Sequence, residues 1–347
     1  MNKLFLTGNE AAVLGAIDAG AKIMFGYPIT PATEILQGWI SKAEKNETLR
    51  YLQTEDEIAA GFGVVGAVLA GTKSFTASAG PGHILLQDPL AMAENLRIPF
   101  VGIMMQRGGP STGTVNFSQQ EVNLAAFGGN GDGLRIVYSA GSVAEMYEFT
   151  VKAFDVAWKY RFPTILLGDG YLGKAAMTVE LDKLLAPVSS YPILKELKES
   201  TNLRNCYSSE ADLSEVLSKN IKDWQKVAPK IAETEKFRLS DANEVIFAHG
   251  LVASACKDAI LALRKQGRKI GLLRAKTLNP LKGSDFRLAL SSVKRAFVIE
   301  SSLNQFSRIV KYETAGIKTP IFEISKPAEG FTSEEIVTKI TEGVWTK

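Results

Sequence analysis

Short runs of β-prone apolar residues alternate with longer helical patterns through most of this chain, and that alternation dictates an α/β architecture. The runs at Lys22–Gly26, Arg50–Gln53, Ser74–Ala77, Phe100–Met105, Arg135–Ser139 and Thr164–Leu167 predict strands. Helical patterns fall between them, most clearly at Glu57–Leu69 and Val143–Tyr160. Strands separated by helices pair in parallel, because only a long crossover returns the chain to the same end of a sheet. Thr7-Gly8-Asn9-Glu10 has the form of a capping box ahead of an apolar run, so the N-terminus is expected to pass at once into a helix.

From residue 186 to 240 the strand signals fade, and Ala211–Lys236 is a charged helical pattern, which predicts a helical linker. A second α/β unit follows, with strands expected at Val245–Ala248, Lys269–Leu273, Ala296–Glu300 and Pro320–Ile324. Its helices are expected at Ala253–Gln266, Phe306–Gly316 and Thr332–Val344, the last opened by a capping box from Thr332 to Glu335. The expected organisation is therefore two parallel-sheet α/β domains, 1–185 and 241–347, joined by a linker over 186–240. A length of 347 residues suits two domains.

Composition removes several classes of function. Hydrophobic residues at 46% and charged residues at 22% are the balance of a globular protein. A net charge of +3 leaves no electrostatic footprint for nucleic acid. The two cysteines, Cys206 and Cys256, lie far apart, whereas an iron–sulfur cluster takes four thiolates, so none is expected on this chain. A disulfide scaffold is equally unsupported, which points to a reducing, cytoplasmic setting. No apolar run reaches the ~20 residues of a membrane span, and the N-terminal run is too short for a signal peptide.

Three clusters stand out, each just after a predicted parallel strand, where open α/β sheets bind ligands. The first is Tyr27-Pro28-Ile29-Thr30-Pro31, in which two prolines present a threonine with little entropic cost; alone, it also reads as a rigid turn. The second is Gln53-Thr54-Glu55-Asp56-Glu57 ahead of a glycine-rich helix, where Thr54 and Glu57 could simply form a capping box. Small residues behind it would let another surface approach closely, and a carboxylate there could contact a cofactor across a subunit boundary. The third joins Ser78-Ala79-Gly80-Pro81-Gly82 to Gln106-Arg107 and the run through Ser111, Thr112 and Gly113. Such loops expose backbone N–H groups to anions, and Arg107 can grip a carboxylate in bidentate fashion, although a lone arginine more often forms a surface salt bridge.

Other signals are weaker. Gly131-Asp132-Gly133 and Gly168-Asp169-Gly170 resemble the start of a diphosphate–magnesium motif, but neither is followed by the asparagine such a motif needs, so both are expected to be turns. No metal set surrounds His83 or His249. His249 is expected to be structural, and His83 is retained only because it follows Gly82.

Together, GYPITPATEI, QTEDEIAAGFG, SAGPG and QRGGPSTG resemble the α subunit of the 2-oxoacid:ferredoxin oxidoreductases. The similarity is strong over roughly residues 3–175 and looser beyond, through VIES and a final helix opened by TSEE. The resemblance implies a thiamine-diphosphate pyrimidine-binding domain followed by a transketolase C-terminal-like domain. It also implies a β subunit that carries the diphosphate, Mg2+ and a [4Fe–4S] cluster, with γ and δ subunits beside it and ferredoxin and coenzyme A as reactants. No γ-like region precedes residue 1, so that function is expected on another chain. By the resemblance, Glu57 rather than Glu55 would hydrogen-bond the aminopyrimidine and favour its imino tautomer; Gly66 follows at the spacing seen in other thiamine enzymes. Thr30 and Arg107 would hold the 2-oxo and carboxylate groups. Tyr27, Pro28, Ile29 and Gly80 would border the cofactor, and Ser111, Thr112 and Asn116 the substrate. Two departures affect specificity: Thr114-Val115-Asn116-Phe117-Ser118-Gln119-Gln120 stands where many 2-oxoglutarate-type relatives have LPTKTEQ, and Thr277-Leu278-Asn279-Pro280-Leu281-Lys282 where TLWPFP is expected. A subunit of a non-oxidative thiamine decarboxylase and a degenerate scaffold are the competing expectations, the latter disfavoured by the joint presence of Thr30, Glu57 and Arg107.

Overall fold

The structure, a computed structural model, describes residues 3–181, 189–191, 193–194 and 203–346. The expected boundary at 185/186 lies outside the described residues. In chain order the strands of the first half are β1 (Lys3–Thr7), β2 (Ile23–Gly26), β3 (Arg50–Gln53), β4 (Ser74–Ser78), β5 (Val101–Gln106), β6 (Ile136–Ser139), β7 (Thr164–Asp169) and β8 (Ala176–Glu180). Those of the second half are β9 (Thr234–Phe237), β10 (Glu244–His249), β11 (Ile270–Ala275), β12 (Thr277–Asn279), β13 (Arg295–Glu300) and β14 (Ile321–Ser325).

The first sheet runs β12-β6-β7-β5-β4-β2-β3. Every pairing in it is parallel except that of β12 on β6, which is antiparallel. Its central strands are buried on both faces, as continuous apolar runs between helical layers must be. The second sheet runs β14-β13-β10-β11-β9, parallel apart from β9. The helix Glu57–Leu69 shows why the layers hold: Glu57, Ala60, Gly61, Val64, Val65 and Val68 recur at helical spacing and are all buried.

Four strands were not legible in the sequence. β1 pairs antiparallel with β8 in a separate two-stranded ribbon, so the described chain opens with a strand ahead of the expected helix. The capping box then forms as expected at the strand's end, with the Thr7 N–H donating to Glu10 Oε2 at 2.8 Å and the Glu10 N–H to Thr7 Oγ1 at 3.2 Å. The long linker helix is Glu210–Ile231, shorter than the charged pattern suggests. Proline cannot donate to a helical ladder, and Pro229 falls in the last turn. The residues beyond become β9 on the edge of β11. The segment Thr277–Asn279 leaves the second unit to extend the first sheet, and Asn279 secures it by donating to the carbonyls of Ala126 (3.2 Å) and Gly133 (2.8 Å).

The two sheets are joined by buried polar contacts. Gln119 exchanges backbone and side-chain bonds with Ser301 (2.9 and 3.0 Å) and donates to the His249 carbonyl at 3.0 Å. His249 is wholly buried with Nδ1 2.9 Å from Ser139 Oγ, and burial pushes its pKa down to about 3. It is a neutral structural imidazole, as expected. Arg274 on β11 pairs with Glu145 on the helix Val143–Tyr160 and with Glu235 on β9.

Candidate functional site

Because β5, β4, β2 and β3 are neighbours and parallel, their C-terminal ends share one edge, and the loops leaving them carry all three sequence clusters. After β2, Tyr27 and Pro28 are exposed, and Ile29 and Thr30 are half-buried. Two long-range bonds hold this turn. The buried Asn9 amide donates to the Pro31 carbonyl at 2.9 Å, and Arg107 Nη1 donates to the Thr30 carbonyl at 2.7 Å.

After β3, the helix is capped by Asp56, whose Oδ1 accepts the Ala59 N–H at 2.8 Å. The capping box considered for Thr54 and Glu57 therefore does not form: the Thr54 hydroxyl donates to the Asp56 carbonyl at 2.8 Å. Capping by the shorter carboxylate leaves Glu57 outside the cap. Glu57 is 3% exposed, whereas Glu55 is exposed. Its Oε1 accepts the Ser78 hydroxyl at 3.1 Å. Burial raises the Glu57 carboxyl above the usual carboxylate range, and the Ser78 bond offsets part of that rise. Gly82 packs so close that a Cβ there would overlap Glu57 Oε1 and Ser78 Oγ. Gly66 has open space where a Cβ would lie, so nothing in this chain demands a glycine there.

After β4 and β5, Gly80 adopts φ +52°, a conformation that favours glycine, and a Cβ on it would lie 2.6 Å from Arg107 Nε. Arg107 is 5% exposed, and its Nε has no hydrogen-bond partner among the described residues. No acidic side chain forms a salt bridge with it among the described residues, which removes the surface-salt-bridge reading. The loop beyond closes on itself through Thr114 N–H to the Gly108 carbonyl at 2.8 Å. Ser111, Thr112 and Asn116 on it are exposed, and no hydrogen bond joins them to Glu57 or Arg107 among the described residues.

The edge thus gathers Thr30, Glu57, Gly80 and Arg107, and leaves Ser111, Thr112 and Asn116 on its rim. The sequence assigned no site role to Glu121 or Asn9, and placed Ser78 in the third cluster without one. Glu121 is buried at the start of a short helix, and its Oε1 accepts the N–H groups of Gly80 (2.9 Å) and Arg107 (3.0 Å). A single acid ahead of a helix reads as an ordinary dipole partner, so nothing in the sequence marked it. The two Gly-Asp-Gly segments are accounted for without a cofactor. Asp169 caps the helix Gly170–Lys174 by accepting the Leu172 N–H at 2.9 Å, and Gly131–Gly133 is an irregular loop. Among the described residues no group of three or more His, Cys, Asp or Glu side chains could hold a metal, and no helix is long and apolar enough to cross a membrane.

A buried carboxyl with a raised pKa, fixed by one hydroxyl, can share a proton with a heterocyclic nitrogen, and a buried arginine within electrostatic reach of it can bind a carboxylate. Around it the chain is apolar and open: Ile58 and Phe62 on the outer face of the Glu57–Leu69 helix are each 37% exposed, and Ile84 is 54% exposed.

Residues 14–215 match the family model described as pyruvate flavodoxin/ferredoxin oxidoreductase, thiamine diphosphate-binding. Residues 242–327 match core domain II of pyruvate:ferredoxin oxidoreductase. The chain is 30% identical to the 2-oxoglutarate synthase subunit KorA of Methanothermobacter marburgensis, over 97% of this chain and 94% of that subunit. It is 32% identical to the ketoisovalerate oxidoreductase subunit VorB of the same organism, over 88% of each. Among solved structures, it superposes with a TM-score of 0.88 and 28% identity on 2-oxoglutarate:ferredoxin oxidoreductase from Magnetococcus marinus, covering 99% of this chain but 65% of that one. A split-gene transketolase, at 10% identity and a TM-score of 0.63, shares the fold.

Proposed function

Because this chain belongs to the family of α-type subunits of 2-oxoacid:ferredoxin oxidoreductases, we propose that it serves as the α subunit of an enzyme that oxidatively decarboxylates a 2-oxoacid. Coenzyme A takes the acyl group, carbon dioxide leaves, and the electron pair passes singly to ferredoxin. The observation that carries this reading is the Glu57 carboxyl: buried, raised in pKa, and set against Gly82 at the shared strand edge.

The residues fit thiamine diphosphate. A carboxyl above its usual range can hold a proton at Glu57 Oε for sharing with the pyrimidine ring, while Ser78 fixes Oε1. Thiamine diphosphate, when bound, supplies the carbanion-stabilising chemistry of decarboxylation. Tyr27, Pro28, Ile29 and Gly80 form the walls of the ring site. Arg107 holds the substrate carboxylate, and Thr30 the 2-oxo group. Ser111, Thr112 and Asn116, on the exposed loop, line the substrate's side chain. In this reading, residues 1–185 form the pyrimidine-binding-like part, 186–240 the linker and 241–347 the transketolase C-terminal-like part.

A cytoplasmic β subunit would cover the open edge and carry the diphosphate site, Mg2+ and the [4Fe–4S] cluster, with γ and δ subunits completing the assembly. The exposed Ile58, Phe62 and Ile84 beside Glu57 support a partner there, since apolar side chains grouped at a site's rim mark interaction surfaces. The test is a panel of pyruvate, 2-oxoglutarate, branched-chain and aryl 2-oxoacids on the copurified complex. Ferredoxin reduction that requires coenzyme A is expected with at least one of them. Release of a free aldehyde without coenzyme A or an electron acceptor would place the complex with the non-oxidative decarboxylases.

A further inference from the structure

We infer that Glu121 is a positioning residue that sets Arg107 in place for the substrate, with His83 bracing it. The inference rests on reading Arg107 as the carboxylate clamp. One oxygen, Glu121 Oε1, accepts both the Gly80 N–H (2.9 Å) and the Arg107 N–H (3.0 Å). These are the two residues whose backbones define where the guanidinium lies, because Arg107 Nε packs directly on the Cα side of Gly80. The other oxygen, Oε2, is 2.8 Å from His83 Nδ1, and both side chains are buried. A carboxylate in such surroundings needs every available partner, and here three partners from two loops converge on it.

The turn that Glu121 holds at Gly80 also borders the Glu57 side of the site. Gly80 and Gly82 flank Pro81 in one turn, and Gly82 is the residue that lies against Glu57. Glu121 is in turn anchored from the second sheet's domain. Gln305 Oε1 accepts the Asn123 N–H at 2.9 Å, and Gln305 Nε2 donates to the Gln120 carbonyl at 2.8 Å. Glu121 therefore relays the placement of the second unit to the arginine.

The experiment compares Glu121→Ala, Glu121→Gln and Arg107→Ala in the assembled complex. Two quantities are read: KM against kcat for the best 2-oxoacid, and calorimetric affinity for a non-decarboxylating analogue of it. Glu121→Ala is expected to raise KM and weaken the analogue about tenfold, with kcat changed less than about threefold. Glu121→Gln keeps an oxygen for both N–H groups and should return both values to within about threefold of wild type. Should Glu121→Ala not assemble, Glu121→Asp, whose carboxylate is drawn back by one methylene, is expected to show the same KM-selective loss. A raised KM in Arg107→Ala with unchanged KM and affinity in the Glu121 variants would reject this role and spare the clamp. Unchanged values in Arg107→Ala would reject the clamp and, with it, this inference.

Discussion

Two carboxylates at the C-terminal edge of the same sheet show how far the environment of a side chain departs from its type. Glu57 at the helix start is raised in pKa by burial, and so is Asp169, which burial lifts to about 7 from an ordinary 3.8. Asp169 takes no part in the proposed chemistry, which makes it a clean probe of how tightly this edge is packed. A folded-state pKa above the unfolded value means that the stability it contributes is present below about 3.8 and is lost as the pH rises through about 7. Asp169→Asn keeps an oxygen for the Leu172 N–H but does not titrate. Between about pH 5 and pH 8 its unfolding free energy in urea should therefore gain on wild type, by an amount on the order of 2 kcal/mol. A constant offset between the two proteins would show that Asp169 titrates normally. At this scale the sequence marked residues that sit in motifs, such as Thr30, Glu57 and Arg107. It could not mark Glu121 or Asn9, because their partners are 14 to 41 and 22 residues away and carry no local pattern.

Elements were legible where periodicity was strong. The buried apolar strands β4, β5, β7, β10 and β11 fall within a few residues of their apolar runs, and the helix Val143–Tyr160 matches its pattern at both ends. The strands that escaped notice, β1, β8, β9 and β12, are short, edge-placed or polar, and owe their conformation to a partner strand rather than to a buried face. β9 illustrates the gain from such an element: it brings Glu235 to Arg274, which also grips Glu145 across the junction of the two sheets. Arg274 is 3% exposed, and its pairing holds the Glu145 carboxyl below the usual range against the opposing effect of burial. Arg274→Ala would leave two acids without their buried cation and should cost about 3–5 kcal/mol in chemical unfolding. A loss below about 1 kcal/mol would mean that the network is hydrated and does not join the layers.

At the scale of the whole molecule, the strand edge that carries Glu57 and Arg107 lies open beside exposed apolar side chains. That edge combines a buried acid and a buried arginine with exposed Ile58, Phe62 and Ile84, while β3, at the end of the sheet, leaves Tyr51 (43%) and Leu52 (53%) in solvent. An apolar strand edge open to solvent beside Glu57 and Arg107 supports a partner that covers it. The most direct measurement is therefore made in the assembled complex, on Glu57→Gln, with bound thiamine diphosphate quantified first. Two rates are followed: exchange of the thiazolium C2 proton with solvent, read by NMR, and turnover with the preferred 2-oxoacid. Retained cofactor with both rates lowered about a hundredfold or more is the predicted result. Rates within about threefold of wild type would contradict the assignment of Glu57 as the activating acid.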